Sequence, residues 1–207
     1  MKTIVYVDGF NLYYGALRGT PYKWLNVARL CRILLPKHNI TQFKYYTARV
    51  SARPHDPEQP VRQQAYLRAL KTTPELELIF GRFLTSSRKM HLVTPLADGT
   101  ASVWVTKTEE KGSDVNIATH MIHDAHLGKY DAAVVVSNDS DLIEPARIVR
   151  HDLGKIVGML NPHKRPSREL MKHVTFVKNI RKPVLRNSQF PDSMTDTGGT
   201  FRKPKDW

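Results

Sequence analysis

Cysteine is almost absent from this chain, and its single example, Cys31, excludes an internal disulfide framework. Cys31 lies within an apolar run, where a free thiol usually packs as a small hydrophobic side chain. We therefore do not expect a cysteine nucleophile. A reducing compartment such as the cytoplasm is compatible with this composition.

Long apolar runs are missing as well. No stretch reaches the length of a transmembrane helix, and the apolar start of the chain meets Asp8 too early for a signal peptide. No phosphate-binding loop of the form G-x-x-x-x-G-K-[ST] occurs, which argues against a P-loop NTPase. We expect a cytoplasmic protein with no membrane partner.

Acidic residues are scarce compared with basic ones. The 207 residues include 19 Asp and Glu but 32 Lys and Arg, a formal net charge of +13. Such a surplus is expected of a protein that binds a polyanion. Because no segment resembles a basic amphipathic membrane anchor, we favour nucleic acid as the partner.

Segments that resemble strands alternate with segments that resemble helices. Apolar runs at residues 2–7, 40–50, 76–84, 132–136 and 155–160 predict strands, and the segments between them carry helical periodicity. This alternation predicts an α/β fold with a central, mainly parallel sheet.

Two segments depart from this alternation. Short β-like runs at residues 91–94 and 102–106 predict a small β-hairpin insertion. Towards the end, the pattern fades into a mixture of Pro, Gly, Ser, Thr and basic residues. We therefore predict one domain over residues 1–177 and a basic, flexible tail over residues 178–207.

Two of the predicted strands end in acidic residues. Asp8 follows the first strand, and the uncharged strand at residues 132–136 is followed by Ser137-Asn138-Asp139-Ser140-Asp141. Ligands of open α/β sheets bind at the carboxyl ends of the strands, and right-handed crossovers allow two such strands to be neighbours. The alternative is that Asp139 or Asp141 only caps the following helix.

A third acidic position lies near the start of a helix predicted over residues 111–127. Asp114 continues the apolar stripe of that helix, where an aspartate is costly unless it is paired or binds a cation. Glu110 precedes Asp114 by four residues, so both carboxylates share a face if the helix extends back that far. The alternative is an N-terminal aspartate that the helix dipole favours.

These acidic positions form a cluster in an otherwise basic protein. Carboxylate oxygens suit Mg²⁺ or Mn²⁺, and such a cation would neutralise charge on a phosphodiester and activate water. The predicted metal ligands are Asp8, Asp114, Asp139 and Glu110. We expect the following basic residues to hold the nucleic-acid backbone: Arg49, Arg53, Arg62, Lys111, Lys178, Arg181 and Lys182.

Aromatic residues follow Asp8 closely. Tyr13, Tyr14, Tyr22 and Trp24 could stack on the bases of a nucleic acid. At helical spacing, however, an aromatic side chain more often belongs to a core, and we favour a core position for each of them.

Three segments resemble the signature blocks of the NYN domain, a branch of the PIN-like ribonuclease superfamily. They are VDGFNL at residues 7–12, EKGSDV at residues 110–115 and SNDSDL at residues 137–142. The resemblance covers about residues 2–177. It implies a three-layer α/β/α sandwich around a mainly parallel sheet and hydrolysis of RNA that depends on Mg²⁺ or Mn²⁺.

The resemblance also implies roles for individual residues. Asp8, Asp114 and Asp139 would bind the metal, and Asp141 would assist them. The remaining positions, Asn11 and Ser137, would orient ligands or water. Asn138 stands where the family often has Gly, a difference that removes no carboxylate.

Two other functions are open at this stage. The chain could be an RNA-binding or regulatory module that does not cut, or a metal-dependent phosphohydrolase on a small substrate, which leaves the net charge unexplained. RNA and DNA are not distinguished, since that choice depends on contacts to the 2′-hydroxyl. Single-stranded or structured RNA, a second copy of the chain and a protein inhibitor are all compatible partners.

Overall fold

The structure is a computed structural model that describes residues 1–205 and 207. The strands are β1 (Lys2–Asp8), β2 (Asn39–Thr47), β3 (Leu76–Phe80), β4 (Arg82–His91), β5 (Ser102–Lys111), β6 (Ala132–Val136), β7 (Ile156–Asn161), β8 (Phe176–Asn179), β9 (Ser193–Asp196) and β10 (Gly199–Arg202). The helices are α1 (Gly9–Leu12), α2 (Val27–Leu34), α3 (Gln59–Lys71), α4 (Ser113–His126), α5 (Ile143–Arg147), α6 (Arg168–Lys172) and α7 (Lys182–Asn187). Over the described residues, no helix has both the length and the apolarity needed to span a membrane.

Six parallel strands form the central sheet in the order β3-β2-β1-β6-β7-β8. The strand β1 lies in the middle and pairs with β2 on one side and β6 on the other. Val7 near the end of β1 is level with Val136 at the end of β6. The two strands that lead into acidic residues are therefore neighbours, and the prediction of a parallel α/β sheet is confirmed.

Helices cover both faces of this sheet. Val5 and Val7 of β1 point into one buried cluster, which also contains residues of α2 and α3. Ile4 and Tyr6 point the opposite way, into a second cluster with residues of α4 and α5. Because successive side chains of a strand alternate between its faces, one apolar strand supplies both cores. The result is the predicted sandwich of three layers.

The hairpin is longer than the sequence pattern indicated. The segment 76–84, predicted as one strand, divides at Gly81, so that β3 stays in the sheet while β4 leaves it and pairs with β5. The Gly81 amide donates to Thr47 O at 2.8 Å. A Cβ at this position would collide with the Glu110 carboxylate and would lie 2.7 Å from Lys111 O. Glycine is therefore required at position 81, where it leaves room for these groups.

The helix predicted over residues 111–127 begins later than expected. Lys111 still pairs with Arg82 at the end of the hairpin, and Gly112 breaks the strand with a φ of 109°. The helix α4 then starts at Ser113. Glu110 therefore belongs to a strand, and the suggestion that it shares a helical face with Asp114 is wrong.

The segment expected to be a flexible tail is folded onto the domain. Its first residues complete β8, and Leu185 of α7 is buried. Phe190 and Phe201 cover the buried ring of Trp24, with ring centroids 6.0 and 6.4 Å from it. The Trp24 indole also donates to Pro191 O at 2.8 Å. Widely spaced aromatic residues, rather than periodic apolar ones, hold this segment in place, which is why its composition resembled a tail.

Removal of residues 182–207 is expected to destabilise the domain strongly. The deletion uncovers Trp24, so we expect the free energy of unfolding to fall by more than about 3 kcal/mol, comparable with emptying an aromatic site in a core. Chemical denaturation followed by circular dichroism measures this. The exposed Arg186→Ala substitution in the same segment is the control, with an effect within about 0.5 kcal/mol. If the shortened and full chains were equally stable, the result would instead support a flexible tail.

Candidate metal centre

Asp8 connects the sheet to the first helix. Its carboxylate caps α1 by accepting a hydrogen bond from the Asn11 amide at 2.9 Å, and its other oxygen accepts one from Ser137 Oγ at 3.1 Å. The side chain is buried, with 4% of its surface exposed. Gly9 follows because a Cβ there would lie 2.6 Å from Tyr46 O. The end of β1 is therefore held rigidly against the end of β6.

Asp139 occupies the corresponding position after β6. Its amide donates to Ser137 Oγ at 3.1 Å, and its carboxylate accepts from the Asp141 amide at 3.0 Å, which caps the short turn Ser140–Leu142. Capping and function are thus not alternatives, because each carboxylate oxygen has two lone pairs and a cap uses one of them. Ser137 is fully buried and contacts both aspartates.

Asp114 completes a group of three carboxylates. It lies in the first turn of α4 and is half-buried. One oxygen from each of Asp8, Asp114 and Asp139 can be chosen so that all three lie within 4.8 Å of one another. Three convergent carboxylates are the ligand set of a hard divalent cation, so the residues present fit Mg²⁺ or Mn²⁺.

The electrostatics of the three carboxylates are unfavourable without a cation. Burial is the main cause that raises the pKa of Asp8 to about 6, and the charges of Asp114 and Asp139 add to it, against hydrogen bonds from Asn11 and Ser137 that lower it. Burial also raises the pKa of Asp114, followed by the charge of Asp139. Among the described residues no Lys, Arg or His forms an ion pair with any of these three carboxylates.

Asp124, another buried acid of the same protein, is treated in the opposite way. Lys44 Nζ lies 2.6 Å and Lys129 Nζ 3.0 Å from its carboxylate, and the Tyr6 hydroxyl donates to it at 2.9 Å. Burial acts to raise the pKa of Asp124, but these hydrogen bonds outweigh burial and the pKa is lowered. The chain thus neutralises one buried acid with its own lysines, whereas no such pairing is present among the described residues for the three-carboxylate group.

The other predicted residues of the site have supporting positions. Asn11 Oδ1 accepts from the Asn138 amide at 2.9 Å and lies 3.1 Å from His163 Nε2. Glu110 Oε1 accepts from Ser113 Oγ at 3.0 Å and from the Ser113 amide, the first of α4, at 3.3 Å, and Glu110 lies outside the three-carboxylate group. Asp141 is exposed, and its charge contributes to the raised pKa of Asp114.

A cavity of about 610 Å³ opens beside the carboxylates. Asp8, Asp114, Asp139 and Glu110 form one part of its lining. The lining also includes several aromatic side chains, namely Phe10, Tyr13, Tyr14, Tyr45, Tyr66, Phe83 and Trp207. Tyr13 and Tyr14 thus reach the site, whereas Trp24 is fully buried in the core.

The predicted basic residues divide into two groups. Arg53 and Arg62 line the cavity, and Arg62 forms an ion pair with Asp56. The other five do not line it: Arg49, Lys111, Lys178, Arg181 and Lys182. Lys178 Nζ instead donates to Leu34 O at 2.6 Å, and the Arg49 guanidinium lies 4.9 Å from the centre of the Phe80 ring.

Sequence reasoning missed two features of the site. His163 lines the cavity and follows β7 by two residues, so it also lies just beyond the carboxyl end of a strand that neighbours β6. That position was a usable signal. The aromatic lining had no comparable signal, because Tyr45, Tyr66 and Trp207 come from distant parts of the chain.

The stability of the protein should depend on pH in a way that reveals the raised pKa of Asp8. Its ordinary value is 3.8, whereas the folded protein holds the proton up to about 6. In this window the native state binds more protons than the unfolded state, so the free energy of unfolding falls as pH rises. Without metal, the free energy of unfolding of Asp8→Asn should rise relative to that of the wild type as the pH increases from 4 to 7, by up to about 3 kcal/mol.

Denaturation of both proteins across this pH range, with EDTA and with Mn²⁺, measures the effect. Mn²⁺ should stabilise the wild type at neutral pH and have little effect on Asp8→Asn. A difference between the two proteins that does not change with pH would contradict the raised pKa.

Known proteins resemble this chain in sequence and in fold. Residues 2–179 match the NYN domain family. The 6-hydroxy-3-succinoylpyridine 3-monooxygenase of Pseudomonas putida (strain DSM 28022 / S16) is 30% identical over 236 residues, which cover 100% of this chain and 75% of that protein. A crystal structure of a protein of unknown function from Vibrio parahaemolyticus RIMD 2210633 shares the fold, with a TM-score of 0.53, 18% identity, and coverage of 87% of this chain and 93% of that one. The chain belongs to the NYN domain family, within the PIN-like ribonuclease superfamily.

Proposed function

We propose that the protein is an endoribonuclease that depends on Mg²⁺ or Mn²⁺. The observation that carries this proposal is the convergence of three carboxylates, with oxygens within 4.8 Å of one another, in a protein with a net charge of +13. The carboxylates suit a cation, and the basic surface suits a polyanion. Membership of the NYN domain family supports RNA as that polyanion.

In this proposal Asp8, Asp114 and Asp139 hold the cation. When bound, a divalent cation supplies Lewis-acid chemistry, which neutralises charge on the phosphate and lowers the pKa of water. Ser137 keeps the two strand-end aspartates in place through its two hydrogen bonds, and Asn11 fixes the adjoining loops. Asp141 assists by adding negative charge near Asp114, which strengthens the attraction for a cation.

Basic residues would hold the RNA backbone around the cavity. Arg53 and Arg62 are placed for this role because they line the cavity. RNA that extends beyond the cavity would contact the other predicted basic residues: Arg49, Lys111, Lys178, Arg181 and Lys182. A small phosphorylated substrate would give no reason for the net charge of +13, and a module that does not cut would give none for the three clustered carboxylates.

A second candidate function is suggested by the curated relative, whose name describes a monooxygenase acting on a substituted pyridine. The observation that favours it is the aromatic lining of the 610 Å³ cavity, which could enclose a small aromatic ring. Arg53, in the same lining, could pair with a carboxylate on such a compound. The two candidates predict different ligands for one cavity.

Cleavage by the Asp139→Asn variant tests the nuclease proposal. Loss of one ligand should reduce the rate of RNA cleavage by at least about a hundredfold, because the cation contributes several kcal/mol to the transition state. RNA affinity should stay equal or rise, since a negative charge is removed. Labelled RNAs and matched DNAs, incubated with Mg²⁺, Mn²⁺ or EDTA, measure both quantities.

Asp152→Asn is the matched control, because Asp152 is half exposed and forms a surface ion pair with Arg147. Its activity should equal that of the wild type. Unaltered cleavage by Asp139→Asn would show that the three carboxylates are not the catalytic site.

Calorimetry with 6-hydroxy-3-succinoylpyridine tests the second candidate. If the cavity takes small aromatic compounds, the wild type binds this compound and Tyr14→Ala binds it at least about fivefold more weakly, since Tyr14 lines the cavity. Absence of binding by the wild type, together with metal-dependent RNA cleavage, would eliminate this candidate.

A further inference from the structure

Building on the nuclease function proposed above, we propose that the β4–β5 hairpin is an arm that binds the RNA strand beyond the metal centre, with Trp104 as a platform for an unpaired base. Neither the three carboxylates nor the cavity includes Trp104.

The register of the hairpin defines its two faces. Side chains alternate along each strand, and residues that pair across an antiparallel ladder share a face. Thr85 and Thr108 share one, with their hydroxyl oxygens 3.0 Å apart, and so do His91 and Ser102, whose Nδ1 and Oγ lie 3.1 Å apart. We name this surface the cavity face, and it consists of Phe83, Thr85, Ser87, Lys89, His91, Ser102, Trp104, Thr106, Thr108 and Glu110.

The cavity face is continuous with the metal centre. Phe83, Thr108 and Glu110 at its base line the cavity, and the Phe83 ring lies edge-on to Phe10, which follows Asp8 by two residues. Trp104 precedes Glu110 by six residues in β5, which separates them by about 20 Å at the usual rise of a strand. A strand bound at the carboxylates could therefore follow this face outward.

Beyond the base of the cavity face, its path carries mainly hydroxyl groups and the ring of Trp104. Thr85, Ser87, Thr106 and Thr108 can donate to phosphate or ribose oxygens of any sequence. Beyond them Trp104 pairs with Lys89, and 72% of the Trp104 surface is exposed. An indole so exposed is unfavourable in water unless a partner covers it, and a stacked base is such a partner.

The other face carries more positive charge than the cavity face, with Arg82, Arg88, Lys107 and Lys111 against Glu109, whereas the cavity face has Lys89 against Glu110. What distinguishes the cavity face is its continuity with the metal centre and the exposed ring of Trp104. On the other face, Glu109 forms ion pairs with Lys107 and Lys111, at 2.8 and 3.7 Å. Among the described residues no carboxylate forms an ion pair with Lys89. The Lys89 ammonium is therefore available for a phosphate next to the base on Trp104.

Fluorescence anisotropy with a labelled single-stranded RNA of about 12 nucleotides tests the arm. The protein carries Asp139→Asn with EDTA present, so that binding is measured without cleavage. We expect Trp104→Ala to weaken binding at least about fivefold, the lower end of what one stacked base contributes. Trp104→Phe should recover most of this affinity because the ring can still stack. For an RNA of about 3 nucleotides, which is too short to reach Trp104, the Trp104→Ala substitution should reduce the affinity much less.

A pair of neighbouring residues supplies the control. Lys89→Ala and Arg88→Ala remove the same charge from opposite faces, so only Lys89→Ala should weaken binding by more than about twofold at moderate salt. The proposed arm would be contradicted if Lys89→Ala and Arg88→Ala weakened RNA binding equally, or if Trp104→Ala bound the longer RNA with full affinity. Either result would count against the arm even if metal-dependent cleavage is observed. Loss of affinity in Trp104→Ala would support the arm even if the wild type cuts no RNA, so the two proposals fail separately.

Discussion

The mutual repulsion of three carboxylates at one edge of the sheet is the constraint on which the site depends. Asp8, Asp114 and Asp139 lie close enough to share one ligand, and burial and neighbouring charge both raise the pKa of Asp8. The fold imposes this arrangement through rigid connections. The parallel pairing of β1 with β6 sets two of the carboxylates side by side, and the buried Ser137 hydroxyl contacts both. A divalent cation converts this repulsion into attraction.

The rest of the structure places a binding surface around that edge. Gly81 directs the chain out of the sheet and into the hairpin, whose base returns at Glu110 to line the cavity. The segment after β8 covers Trp24 and contributes Trp207 to the same cavity. The cavity is thus lined both by acidic groups at the carboxyl ends of the central strands and by aromatic side chains. The ligand of this cavity, a nucleotide or a small aromatic compound, is what separates the two candidate functions.

Local sequence signals were sufficient for the centre of the fold. An uncharged strand followed by a polar turn identified β6, because burial on both faces leaves no position for a charge. A similar uncharged run, residues 3–7, lies between Lys2 and Asp8 and identified β1. The topology of parallel sheets allowed their pairing, which the structure shows. Features that depend on distant contacts could not be predicted. The late start of α4 at Ser113, after Gly112, depends on the hairpin, and the folding of residues after 178 depends on the ring of Trp24 that they cover. The placement of Lys178 against Leu34 likewise depends on tertiary packing.

Binding of Mn²⁺, followed by the electron paramagnetic resonance signal of the free ion, tests the central claim most directly, because it requires no substrate. The account predicts that the wild type removes Mn²⁺ from solution at concentrations where Asp114→Asn leaves the signal of the free ion unchanged, since that substitution removes one of three ligands without burying a new charge. Equal uptake of Mn²⁺ by the two proteins would contradict it, and so would the absence of uptake by the wild type.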